Sequence, residues 1–229
     1  MLQRITADPV PSARSTTRPQ RPVAVSHNQA LGRFAAGEAI SIARRGRPGL
    51  LAIRDGCVAL HQTLQDGRRQ ILDILGPGRM FGKGVTDHLD CQVEALAFTR
   101  VEMVSAEDGT PAEPSAALIT FTQRLQDHIT LLGRRTAQER VAVAILDLAS
   151  QFERRNHDPR SCRSTFRLYL KRVDLADWLG LTLETVSRNL NGFKRAGLID
   201  FSTPELVTIN DRKRIAAIAG APERRASQP

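Results

Sequence analysis

Glu184 and Arg188 stand one helical turn apart, with Ser187 between them, in the stretch DLADWLGLTLETVSRNL from Asp174 to Leu190. On a helix, residues at i, i+3 and i+4 share a face. Two chemistries are open to this triad. Glu placed four residues before Arg makes an ordinary surface ion pair. The same groups can also read a base pair, because a carboxylate accepts from cytosine N4 and a guanidinium donates to guanine O6 and N7. A carboxylate facing DNA is repelled by the phosphates unless it meets such a donor. Ser187 is placed to touch a base edge beside the pair.

The residues before the triad decide between the two. Leu175, Ala176 and Leu179 give a short first helix an apolar side, and Ala176 is small where a second helix would cross. Gly180 follows four residues later and can take a left-handed conformation. Thr182 suits the N-cap of a second helix, whose inward stripe is Val186, Leu190 and Phe193. This is the spacing of a helix-turn-helix, which presents its second helix to the major groove. Glu184, Ser187 and Arg188 are therefore read as base-reading residues. Arg172, Thr182, Thr185 and Lys194 are the candidates for phosphate contacts.

Residues 160–214 carry eleven Lys or Arg and six Asp or Glu, and the whole chain of 229 residues has a formal charge of +9. That balance favours an anionic partner and suits release of counterions from phosphates. After the second helix, GLIDFSTPELVTIN reads as a β-hairpin, with Leu198-Ile199 and Leu206-Val207 flanking Ser202-Thr203-Pro204. A short helix from Asp211 to Ala219 follows.

Upstream elements must position this module. From Leu31, short apolar runs alternate with turns at Gly37, Gly46, Asp55-Gly56, Asp66-Gly67 and Gly76-Pro77-Gly78, the pattern of an all-β sandwich or barrel. In CVALHQTLQDGRRQILDIL, Val58, Leu60, Gln62 and Leu64 fall on one strand face. Asp66-Gly67 makes a hairpin turn, and Ile71 to Leu75 return. Two more strands are expected across CQVEALAFTRVEMVSA. From Ser115 the period becomes helical: Leu118, Phe121, Leu125, Ile129 and Leu132 form one stripe, with Gln, Arg and Asp on other faces. The stripe suits a helix packed on its own barrel or a two-stranded dimer seam. His128 and Arg135 interrupt that seam at strict heptad positions. A second helix, TAQERVAVAILDLASQF, aligns Val141, Ile145 and Leu148, and ERRNHDPRSCRS reads as a loop.

No apolar run approaches 18 residues, so no membrane span is expected. Residues 1–30 hold four Arg, one Asp and many Pro, Ser and Thr, without a secretory apolar core; they read as a disordered tail, with an organelle transit peptide as the alternative. Three separated cysteines, Cys57, Cys91 and Cys162, and no CxxC pair speak against a disulfide framework or a structural zinc site. Cys57 reads as a small core residue. Cys91, with His88 three residues before it, is a candidate for metal, haem or redox chemistry. Cys162 lies between Arg160 and Arg163, positive neighbours that would lower its pKa, and is the candidate redox thiol.

The string DLADWLGLTLETVSRNLNGFKRAGLI resembles the helix-turn-helix of Crp/Fnr-type bacterial transcription regulators, and GLTLETVSR is most similar to the Fnr and FixK branch. DGCVAL followed by DGRRQILDILGPGRMFG is similar to the barrel of the same family. The resemblance spans residues 31–219. It implies an α+β fold: an N-terminal cyclic-nucleotide-binding-like β-barrel (jelly roll), a long dimerisation helix and a C-terminal winged helix-turn-helix. The corresponding segments are a tail (1–30), a degenerate effector-type barrel (31–112), a dimerisation helix (113–135), the DNA-binding domain (136–219) and a tail (220–229). Leu118, Phe121, Leu125, Ile129 and Leu132 become the dimer interface.

The resemblance further implies a non-enzymatic, cytoplasmic bacterial homodimer that binds double-stranded DNA and engages RNA polymerase. Its Glu184, Ser187 and Arg188 would read TTGA-type half-sites, in oxygen-limitation or respiratory and nitrogen-oxide gene control. Leu183 stands where the cyclic-AMP branch has Arg. Lys83 after Gly82 and Cys91-Gln92 depart from the cyclic-nucleotide signature, and residues 1–30 lack the cysteines of an iron–sulfur sensor. No cofactor and no metal are expected. Asn189 stands at a usually apolar place and is expected to loosen packing. A haem- or thiol-based redox or nitric-oxide sensor of the same family is the alternative. A small-molecule enzyme using the barrel is the alternative of another class, with no Ser-His-Asp grouping or phosphate loop to support it.

Overall fold

The computed structural model describes residues 30–41, 43–44, 47–104, 114–153 and 163–220. The N-terminal tail short of Ala30, the C-terminal tail beyond Gly220, and Cys162 lie outside the described residues. The strands of the first part are β1 (Ala30–Phe34), β2 (Ala43–Arg44), β3 (Arg47–Pro48), β4 (Leu50–Asp55), β5 (Val58–Thr63), β6 (Arg69–Leu75), β7 (Met80–Gly82), β8 (Gln92–Ala95) and β9 (Thr99–Met103). They form one antiparallel sheet in the order β1-β9-β4-β7 and a second in the order β6-β5-β8, with β2 and β3 paired apart. Leu51, Ile53, Val58, Leu60, Phe81, Val93 and Val101 from the two sheets fill one core. This is the expected jelly roll, as a two-sheet sandwich whose sheets stay separate in hydrogen bonding.

The β5–β6 hairpin turns at Asp66-Gly67 as read, with Gly67 at φ +82° and its N–H donating to Leu64 O at 2.9 Å. The alternation is corrected. Val58 and Leu60 face the sandwich core, but the pairing register shifts after Leu60, where Leu72 of β6 is left unpaired, and Leu64 lies past the strand end, exposed. The opposite face is not solvated either: Cys57, Ala59, Ile71 and Ile74 join a second core beneath the helices. The two strands expected between Cys91 and Ala106 form, yet in different sheets: β8 pairs with β5, and β9 with β1 and β4.

Helix α1 (Pro114–Arg134) carries two apolar sides rather than one stripe. Phe121 is buried in the sandwich core and Leu125 packs against it, while Leu131 and Leu132 join the second core. On another side Ile119, Thr122, Gln126, Ile129 and Gly133 are all exposed, at spacings of 3, 4, 3 and 4. This a/d seam runs one residue later than the register that placed His128 and Arg135 on it. Those two leave the seam: His128 stacks beside Trp178, and Arg135 Nη1 donates to Ala219 O at 2.8 Å. Of the expected interface residues, Phe121 is thus consumed by its own chain. Ile129 is 71 % exposed, and Leu118, Leu125 and Leu132 are half-buried along the border of the seam. Arg124 is not on a solvated face but half-buried, paired with Asp73 and Asp147.

Helix α2 (Ala137–Phe152) begins at Thr136, whose N–H donates to Glu139 Oε2 at 2.7 Å while its hydroxyl caps the Glu139 N–H. Val141, Ile145 and Leu148 are buried as read. Next comes β10 (Ser164–Arg167), a strand not anticipated from the sequence, followed by α3 (Arg172–Leu179), α4 (Leu183–Arg195), β11 (Ile199–Thr203), β12 (Leu206–Ile209) and α5 (Arg212–Ile218). The sheet order is β10-β12-β11, so the hairpin is a wing on a three-stranded sheet.

Candidate nucleic-acid interface

Helices α3 and α4 are set at an angle by Gly180, which adopts φ +60° and ψ +42°, a left-handed cap that favours glycine. The Leu181 N–H closes the turn on Ala176 O at 3.1 Å. A Cβ on Gly180 would come within 3.2 Å of Leu132 on α1, so the turn also nests against the long helix. Thr182 starts α4 by accepting the Thr185 N–H at 3.2 Å, and Thr182 Oγ1 and Thr185 Oγ1 lie 2.8 Å apart. Val186, Leu190 and Phe193 are buried, which fixes the opposite face of α4 toward solvent.

That outward face carries Leu183, Glu184, Ser187 and Arg188. Glu184 and Arg188 are joined as an i, i+4 ion pair, their side chains 76 % and 73 % exposed. Ser187 is half-buried beside them. The structure therefore brings the three sequence-read residues onto one surface, with the ion pair of the plainer reading formed as well. Leu183 was not among the site residues read from the sequence. It is 52 % exposed at the first position of α4, and an apolar side chain on the polar face beside Glu184 was the available signal. Asn189 does not loosen the helix: its Nδ2 donates to Thr185 O at 2.8 Å.

The phosphate candidates divide. Thr182 and Lys194 are exposed and Thr185 half-buried at the edges of α4. Lys194 Nζ sits 3.1 Å from Asp200 Oδ1 on the wing, and that lysine holds the Asp200 carboxyl below its usual range. Arg172 is half-buried, with its guanidinium 4.8 Å from the centre of the Phe201 ring. Burial lowers its pKa, and its Nη1 is enclosed with no hydrogen-bond partner among the described residues. Arg172 thus braces the wing before it can reach any phosphate.

Behind the reading helix, Arg69 on β6 binds three carboxylates. Nε donates to Asp177 Oδ2 at 2.9 Å, Nη1 to Glu94 Oε2 at 3.0 Å, and Nη2 to Asp174 Oδ1. Asp174 Oδ2 also accepts the Lys171 N–H at 2.8 Å, capping α3. Arg140 donates to Leu132 O at 2.8 Å, Arg135 O at 2.9 Å and Leu179 O at 3.0 Å, closing the ends of α1 and α3. Sequence reasoning missed both arginines as positioning residues, because single charged residues beside turns carry no periodic signal.

The described cysteines are the buried Cys57 and the half-buried Cys91. Burial pushes the Cys57 thiol far up, and burial with the nearby Asp90 carboxylate raises that of Cys91. Both shifts disfavour the thiolate.

Residues 139–218 match the family model described as a Crp-like helix-turn-helix domain, and residues 32–108 match that of a cyclic nucleotide-binding domain. The latter raises a cyclic nucleotide as a possible ligand, and the segment after β7 does not fit one. The Val85, Thr86 and Asp87 amides donate back to Gly82 O, and Thr86 Oγ1 takes up the Gly82 N–H. These amides are spent internally, and no arginine lies between Gly82 and Ala95 to meet a phosphate.

The nitrogen fixation regulation protein FixK of Azorhizobium caulinodans is 37 % identical over 170 residues, covering 70 % of this chain and 67 % of that protein. FixK of Bradyrhizobium diazoefficiens is 30 % identical over 197 residues, covering 82 % and 81 %. The solved structure of FixK2 from Bradyrhizobium japonicum superposes with a TM-score of 0.65 at 28 % identity, covering 82 % of this chain and 95 % of that one. The chain belongs to the Crp/Fnr family, as a transcription regulator of the FixK/Fnr type with a helix-turn-helix DNA-binding domain.

Proposed function

We propose that the chain acts as a homodimer that reads TTGA-type half-sites of palindromic DNA through Glu184, Ser187 and Arg188, in the control of genes for oxygen limitation, respiration or nitrogen-oxide metabolism. The observation that carries this reading is the shared outward face of α4, where a paired Glu184 and Arg188 stand beside exposed Leu183. Glu184 accepts from cytosine N4 and Arg188 donates to guanine on the facing strand. Leu183 suits the methyl group of a flanking thymine. Thr182, Thr185 and Lys194 contact phosphates, with the enclosed Arg172 supporting the wing and offering its remaining N–H groups.

Dimerisation runs along the exposed seam of α1, from Ile119 to Gly133, bordered by Leu118, Leu125 and Leu132. The regulator works in the bacterial cytoplasm, engages RNA polymerase and catalyses no reaction of its own. Among the described residues no helix is long and apolar enough to cross a membrane.

Binding of the full chain to a TTGA palindrome and to single-base variants, at fixed salt, tests the reading. Arg188→Ala should lose on the order of 1–3 kcal/mol of discrimination at the guanine position, with little change for scrambled DNA. Full discrimination retained by that variant sinks the assignment.

A further inference from the structure

A cavity of about 130 Å³ lies at the meeting of β6, α1, α2 and α3, away from both the reading helix and the sandwich core. Its apolar wall includes Leu131, Ala144 and Leu179, and its polar wall is Arg124, His128 and Trp178 with the carboxylates of Asp73, Asp127 and Asp147. Trp178 is 6 % exposed, and its indole Nε1–H is buried with no acceptor among the described residues. His128 Nε2 is likewise enclosed without a partner, and the two rings lie nearly parallel with centroids 6.2 Å apart. Two unmet polar groups side by side are costly in a finished core. Packing one α1 face on another chain would not meet them. Of the four α1 residues that line the cavity, Arg124, His128 and Leu131 fall on the side of the helix opposite the seam from Ile119 to Gly133, and Asp127 stands beside them at the exposed edge.

The charges around the cavity narrow its ligand. Arg124 is already spent: it donates to both oxygens of Asp73 and both of Asp147. An anion would therefore meet carboxylates with no free cation to receive it. A cation would find the Asp127 carboxylate on the lining, but it offers only donors, would face Arg124, and would leave the Trp178 N–H unmet. Burial, with Arg124 and Arg140 nearby, holds His128 neutral by lowering its pKa to about 4, so the imidazole can accept or donate one hydrogen bond. The size suits one ring, since an apolar cavity of about 150 Å³ takes benzene.

We propose that this interdomain cavity is a binding site for a small neutral ring bearing a carbonyl-type acceptor and a neighbouring donor, such as a cyclic amide, held by the Trp178 N–H and by His128. The site is independent of base reading, although its walls come from the seam helix and from the first helix of the helix-turn-helix.

Trp178 is the sole tryptophan of the chain, so its emission reports the site directly. The full chain, without DNA, is titrated with δ-valerolactam, cyclohexane and piperidinium at pH 7.5. The lactam should change the emission saturably, with an affinity at least tenfold above that of either other probe. His128→Leu, which keeps an apolar wall, should weaken the lactam about fivefold and leave cyclohexane unaffected or improved. Val143→Phe, a larger residue at the half-exposed rim, should abolish all three responses while circular dichroism retains a cooperative thermal transition. A linear, unsaturable response, equal affinity for the three probes, or lactam binding unchanged in His128→Leu overturns the proposal. A failure of TTGA recognition would leave these titrations untouched.

Discussion

Glu184 and Arg188 meet as an ion pair on the outward face of α4 in the absence of DNA, and the proposed base contacts must start from that pairing. The pair is exposed on both sides, so its own contribution to stability is small. Its effect is to hold the long Arg188 side chain in a reduced set of rotamers over the first turns of α4. The shared outward face of Glu184, Ser187 and Arg188 was legible in the sequence because identity and spacing carried it. His128 shows the opposite case. A lone histidine in a helix reads as a blemish in a heptad, and only tertiary packing reveals that it is enclosed beside Trp178 and Arg124. Its folded pKa, about 4, lies below the unfolded value of 6.5. The unfolded chain therefore takes up the proton first on acidification. Stability is full above about pH 6.5 and falls as pH drops toward 4, by roughly 2 kcal/mol after discounting for partial exposure. Urea unfolding of the wild type and of His128→Leu between pH 7 and 4 should show a flatter acid limb for the variant.

Helix α1 shows how an element can be legible while the side its own chain occupies is not. Its stripe at spacings of 3 and 4 was legible, but the helix has apolar residues on two sides, and composition alone does not say which side its own chain takes. The bulky Phe121 fills the sandwich core, and the β-branched Ile119 and Ile129 are left outside. Two substitutions separate the sides. Ile129→Glu should convert the dimer to monomer in sedimentation equilibrium with little change in monomer stability. Phe121→Ala should cost about 3–5 kcal/mol of stability and leave the seam residues in place. β10 escaped the sequence reading for a different reason. At four residues it is too short to show a period, and its pairing partner β12 lies 39 residues further along the chain. The hairpin β11–β12 was legible because its turn residues are local.

At the scale of the whole molecule, the sandwich and the winged domain share one apolar core and two charged clamps. Cys57, Ala59, Ile71 and Ile74 from β5, β6 and the turn before β5 lie in the same cluster as the buried faces of α2, α3 and α4. Arg69 reaches from β6 to Asp174 and Asp177 of α3, and Arg124 ties β6 to α2 through Asp73 and Asp147. None of this was legible in the sequence, because the partners of each clamp lie far apart along the chain, 23 positions for Arg124 and Asp147 and 105 for Arg69 and Asp174. Arg69→Ala leaves the buried Asp174 without its cation, a loss on the order of 2–3 kcal/mol. Scanning calorimetry should then show one transition separating into two, with the winged domain melting later or earlier than the sandwich. A single transition at the wild-type Tm would mean that the apolar core alone couples the parts.

Gly76 marks how tight that junction is. A Cβ there would stand 2.7 Å from the Phe152 ring of α2, which touches the end of β6 where no side chain intervenes. The consequence is one of portability. A reading head cut from this protein at Thr136 and grafted onto another sensor would carry away an apolar face shaped for β5 and β6, and leave a matching bare sheet behind. Swapping DNA specificity between relatives should therefore work by exchanging the surface of α4. Exchanging the whole winged domain should succeed only if the hairpin from Val58 to Leu75 travels with it.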